Sequence, residues 1–176
     1  MSINNLDDPD KRASLPATTA HPAVSRSAAQ HVVLDTNVVL DLWVFNDPRA
    51  QRLQWALAQG RLLWVATEAM FEELADVLSR STSARWCPNP HAVLATVRAC
   101  CQVLPPAAKP AEHAQKVPHC ADPDDQIFID FAWSFPAAWL FSRDRALLDL
   151  ARPALVHGLV ITTPAAWAAA EDADHR

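Results

Sequence analysis

The residues best equipped for chemistry in this chain are acidic, and they fall in four blocks. Asp35 closes the apolar run HVVL and is followed at once by Thr36 and Asn37. Glu72 and Glu73 lie in TEAMFEELADVLSR, residues 67–80. Asp122, Asp124 and Asp125 cluster in DPDDQIF, and Asp144 stands in FSRDRALL. Singly, several have ordinary explanations. Acidic residues near a helix N-terminus cap it and complement its dipole, which would account for Asp122, Asp124, Asp125 and Asp144. Asp35 is harder to explain, because a carboxylate ending a buried strand is costly to desolvate and no Arg or Lys follows it closely.

The chemistry comes from the set. Carboxylates brought within ~4 Å of each other repel by about 4 kcal/mol per pair at an effective dielectric near 20. Protons or cations must relieve that, and hard oxygen ligands select Mg²⁺ or Mn²⁺ over zinc. The usual task of such a site is phosphodiester hydrolysis. Helical periodicity separates the two glutamates. Met70, Phe71, Leu74, Val77 and Leu78 form one apolar arc; Glu73 falls at its edge, while Glu72 points away beside Asp76. Glu73 is therefore the candidate. Arg143 and Arg145, flanking Asp144, could meet a phosphate backbone or be plain surface residues. A zinc site from His113, His119 and Cys120 has no trusted spacing, and a phosphotransfer site on Asp35 would want a second Asp where Asn37 stands.

These residues need elements to position them. Residues 1–30 are rich in Ser, Ala, Pro, Asn and Asp and read as a loose or disordered tail, leaving one domain over 31–172. Strands are expected at 31–34, 62–65, 102–104, 138–142 and 158–162. Helices are expected at 67–80, 90–101, 122–133 with an acidic first turn, 145–151, and from Pro164. A Pro- and Ala-rich loop spans 105–121. This alternation implies an α/β fold, a parallel sheet covered on both faces, whose ligands sit outside the carboxyl ends of the strands. Asp35 lies at such an end. Phe135–Pro136 is expected to stiffen the corner before the fourth strand.

The chain has 176 residues, 51% hydrophobic and 20% charged, with a net charge of −5. That balance suits a globular protein and argues against sequence-blind adhesion to nucleic acid, while leaving a metal-neutralised nucleic-acid site open. No apolar run is long enough to span a bilayer, and no secretory signal is visible, so a cytoplasmic protein without membrane attachment is expected. Four cysteines without CxxC spacing, Cys100 and Cys101 adjacent, suit buried thiols in a reducing compartment. Trp43, Trp55, Trp64, Trp133 and Trp139 fall in or beside apolar runs and are expected in the core or an interface.

VVLDTNVVLDL at 32–42, EELADVL at 72–78, DPDDQIFIDFA at 122–132 and WLFSRDRALL at 139–148 resemble the PIN-domain nuclease family. The likeness runs on through VITTPAAWAAA at 160–170 and is nearest to a bacterial subgroup described as toxin components of toxin–antitoxin pairs. It implies a three-layer α/β/α sandwich with a central parallel sheet. It also implies Mg²⁺ or Mn²⁺ dependence and endoribonuclease activity on single-stranded RNA. Asp35, Glu73, Asp125 and Asp144 match the four acidic positions that bind metal and act in catalysis. Asn37, Asp122, Asp124 and Ser142 match supporting positions, Asn37 steadying the ligand shell or a water. Thr36 is expected to satisfy backbone groups in the turn. Where the family commonly has Gly before the fourth Asp and another Asp two residues after it, this chain has Arg143 and Ala146. A cognate antitoxin and a homodimer are implied by analogy. The competing reading is an idle PIN-like module that binds RNA or protein.

Overall fold

The computed structural model describes residues 29–80, 83–106, 117–135 and 137–174. The expected tail therefore lies almost wholly outside the described residues, as do His113 and Pro136.

Five strands form one parallel sheet in the order β3-β2-β1-β4-β5. They are β1 (Gln30–Leu34), β2 (Leu62–Ala66), β3 (Gln102–Val103), β4 (Trp139–Phe141) and β5 (Val160–Thr162). The helices are α1 (Thr36–Leu40), α2 (Gln51–Ala58), α3 (Glu68–Ser79), α4 (Pro90–Ala99), α5 (Gln126–Ser134), α6 (Arg145–Leu148), α7 (Ala151–Leu155) and α8 (Pro164–Asp174). They cover both faces of the sheet, giving the three-layer α/β/α architecture. Val32 and Val33 of β1 and Leu140 and Phe141 of β4 are fully buried, as strands covered on both faces must be.

Strand order decides where the site falls. The chain builds outward from β1 through β2 to β3, then returns to lay β4 against the free side of β1. Connections thus leave in opposite directions from β1 and β4, and the carboxyl ends of these two strands form the switch point at which such sheets place their ligands. Register pairs Leu34 with Phe141, so Asp35 and Ser142 leave the sheet side by side. The backbone N–H of Asp35 donates to the Phe141 carbonyl at 3.0 Å.

The turn out of β1 needs no glycine. Asp35 is extended (φ −70°, ψ 152°) and caps α1 itself. After α1 the helix widens into a π-helical turn, Asp41–Phe45, which ends on Asn46 at φ 49°. Asn tolerates that left-handed conformation better than most residues.

Candidate active site

Asp35 is 2% exposed, and its neighbours hold it in place. The Ser142 hydroxyl and the Asn37 side-chain amide both donate to Oδ2, the latter at 2.5 Å. The Asn37 backbone N–H reaches Oδ1 at a long 3.4 Å. Each supporting side chain is used at both ends. Ser142 Oγ accepts from the backbone N–H of Asp144 at 2.8 Å, and Asn37 Oδ1 accepts from that of Arg143 at 3.1 Å. The loop after β4 is thereby latched to the loop after β1. Burial raises the Asp35 pKa, the Ser142 and Asn37 hydrogen bonds oppose the rise, and the charge of Asp144 adds to it.

Glu73 is half-buried on α3, whereas Glu72 is exposed, as the periodicity predicted. Burial pushes the Glu73 carboxyl up to about 7, and the charges of Asp35, Asp125 and Asp124 add to the rise. A hydrogen bond from the Thr36 side chain works against the shift. Asp125 sits immediately before α5. Burial pushes it too up to about 7, with Asp35, Asp144, Asp122 and Asp124 all contributing. Asp144 is half-buried and caps α6, its Oδ1 accepting from the Ala146 N–H at 2.7 Å. Arg143 has no positive φ, so the glycine found there in the family is not required by this turn.

The charges that add to the rises at Asp35, Glu73 and Asp125 are those of other carboxylates. Glu73 Oε2 and Asp125 Oδ2 are buried with no hydrogen-bond partner among the described residues. Orphaned carboxylate oxygens in a cluster of like charge fit a hard divalent cation in chemistry and in burial. Among the described residues, no group of three His, Cys, Asp or Glu side chains is arranged to hold a metal ion. The carboxylates are coupled without being drawn around one point.

Other candidates are placed less centrally. Asp122 and Asp124 are exposed; Asp122 Oδ1 accepts from the Asp124 N–H at 3.0 Å and shapes the turn before α5. Arg143 pairs with Asp41, and Arg145 is 93% exposed with its Nε 3.9 Å from Asp149. His119 is exposed and Cys120 buried. Of the cysteines, Cys87 and Cys120 are buried and Cys101 is half-buried, but Cys100 is exposed and all four are free. Trp64 is buried and stacks on Trp43 at 5.2 Å, whereas Trp55, expected inside or at an interface, is 54% exposed on α2.

Two residues with a hand in the site escaped the sequence reading. Asp41 is buried, and its only sequence signal is an acid set between leucines in VVLDLW. Gln126 accepts from the Cys120 N–H at 2.8 Å and donates to the Pro118 carbonyl at 3.2 Å, tying down the segment that carries Asp125. Nothing in an aperiodic loop announces such partners.

The sequence of residues 31–146 matches the PIN domain family, and the chain belongs to it. PIN domains are generally metal-dependent nucleases, and Asp35, Glu73, Asp125 and Asp144 all lie within the matched span. No curated protein matches the chain. No helix among the described residues is long and apolar enough to cross a membrane.

Proposed function

We propose that this chain is a Mg²⁺- or Mn²⁺-dependent endoribonuclease that hydrolyses phosphodiester bonds in single-stranded RNA. The observation that carries the reading is the pair of orphaned, buried oxygens on Glu73 and Asp125, in electrostatic reach of Asp35. Asp35, Glu73, Asp125 and Asp144 would hold a divalent ion, whose chemistry there would be activation of water and neutralisation of charge on the phosphate. The chain's own residues supply the rest. Ser142 and Asn37 fix the orientation of Asp35, Thr36 steadies Glu73, and Gln126 holds the backbone leading to Asp125. Asp122 and Asp124 add negative charge beside Asp125.

In the same reading the nuclease domain runs to residue 172 and starts at Gln30, the first residue of β1, one residue earlier than the sequence suggested. The protein works in the cytoplasm as the toxin of a toxin–antitoxin pair, held in check by a cognate antitoxin, and forms a homodimer. The rival is a metal-idle RNA- or protein-binding module, favoured by the lack of a converged three-ligand group among the described residues. Incubating the full chain with total RNA, with and without Mg²⁺ or Mn²⁺, and mapping the new ends decides between them. Metal-dependent cleavage that disappears in Asp35→Asn supports the nuclease. Full cleavage in that variant rejects the mechanism, and no cleavage with no thermal shift in Mn²⁺ favours the idle module.

A further inference from the structure

Asp41 is a buried acid that the carboxylate cluster does not use. It lies in the π-helical turn after α1 with its side chain 4% exposed. The Arg143 guanidinium meets it side-on, Nη2 donating to Oδ1 at 2.9 Å and Nε lying 2.6 Å from Oδ2. That geometry uses one edge of the guanidinium and leaves both Nη1 hydrogens for another acceptor. Although paired, the Arg143 side chain keeps 41% of its surface exposed. Its backbone is fixed separately through Asn37 Oδ1, the same side chain that orients Asp35.

A mobile arginine beside so many carboxylates would collapse onto them. Here the guanidinium of Arg143 bonds to Asp41 instead, on the far side of Asn37 from Asp35 in the chain, and not to Asp35, Glu73 or Asp125. An arginine pre-aligned by a buried carboxylate gives up little rotamer entropy on meeting a phosphate and offers it a planar pair of donors. Arg145 has no such anchor. π-helical turns recur at functional sites, and this one delivers the anchor.

We infer that Asp41 is a positioning residue that fixes Arg143 as a clamp on an RNA backbone phosphate next to the scissile one. The inference rests on the nuclease reading for its substrate class.

The test is binding of a fluorescent single-stranded RNA oligonucleotide to the full Asp35→Asn chain across a salt series at constant Mg²⁺. On that background the double variant Asp41→Asn, Arg143→Gln keeps polar side chains of similar shape and leaves no unpaired buried charge, so it should fold. The clamp predicts about tenfold weaker binding. It also predicts a slope of log K against log salt shallower by about 0.7, one phosphate contact on a single strand. Asp41→Asn alone keeps Arg143 charged, so the slope should persist while affinity falls. A mere latch between α1 and the β4 loop predicts changes in melting temperature with affinity and slope untouched, and that result overturns the clamp. If the double variant fails to fold, Arg143→Lys decides: the clamp predicts weaker binding at unchanged slope, the latch no change in either. Absence of RNA binding at any salt also overturns it. The nuclease reading fails separately: a wild-type chain that binds RNA through Arg143 but never cleaves it keeps the clamp and loses the enzyme.

Discussion

Asp35 takes two hydrogen bonds on Oδ2 and only a long one on Oδ1, so an amide can replace the carboxylate with its oxygen kept where Ser142 and Asn37 donate. Asp35→Asn should therefore fold with a melting temperature no lower than wild type, since a buried, repelled charge disappears. RNA cleavage should fall by about a thousandfold, the loss of a metal ligand being worth several kcal/mol. Circular dichroism on heating and an end-labelled RNA assay check the two halves. Ser142→Ala is the contrasting case. It strips a donor from Asp35 and an acceptor from the Asp144 N–H, and should destabilise the chain by about 1–3 kcal/mol in urea unfolding. At this scale the sequence was legible where side chains obey a period. Glu73 against Glu72 followed from 100° per residue, and the two are indeed half-buried and exposed. Asp41 was not legible, because its partner Arg143 is supplied by a loop 102 residues away, which no local pattern encodes.

Elements were read well where apolar periodicity is long and poorly where turn chemistry competes with it. The strands at 62–65 and 102–104 and the helix at 67–80 fall within a residue or two of β2, β3 and α3. Only Trp139–Phe141 of the expected 138–142, and Val160–Thr162 of the expected 158–162, pair as strand. The expected helix at 122–133 begins instead at Gln126. Asp122 accepts from the Asp124 N–H, and this side-chain turn with Pro123 inside it holds the acids outside the helix, ahead of its first turn. Helices α1, α2 and α7 went unassigned: α1 and α7 are five residues each, too short for a period to show. The run at 145–151 holds all of α6 and, after a turn at Asp149 and Leu150, only the first residue of α7. Because the acids stand on a turn, they depend on what anchors it. Gln126→Ala removes the bonds to Pro118 and Cys120 and should lower cleavage about tenfold while the melting temperature drops by only a few degrees. Equal cleavage in that variant would show the turn to be self-supporting.

Across the whole molecule, the parallel sheet concentrates negative charge at one rim, and folding has to tolerate it. Glu73 and Asp125 are held up to about 7 in the folded chain against ordinary values of 4.5 and 3.8, and Asp35 and Asp41 are also raised. Between those values the folded chain keeps protons that the unfolded chain has lost. The stability they contribute is full at low pH and is lost as pH rises through about 7. The metal-free protein should thus melt at progressively lower temperature from about pH 5 to about pH 7.5, and Mg²⁺ should restore more at the upper end than at the lower. A melting temperature that climbs over that range without metal would contradict the burial of these carboxyls. The fold class and the position of the rim followed from strand and helix alternation alone; the coupling did not, since it depends on how closely four distant blocks approach. Calorimetric titration of the metal-free chain with Mn²⁺ at about pH 7.5 tests that coupling most directly. The account predicts saturable heat with release of protons from Glu73 and Asp125, visible as a dependence on buffer ionisation, and its loss in Asp35→Asn. Absence of saturable heat, or binding undiminished in Asp35→Asn, would contradict it.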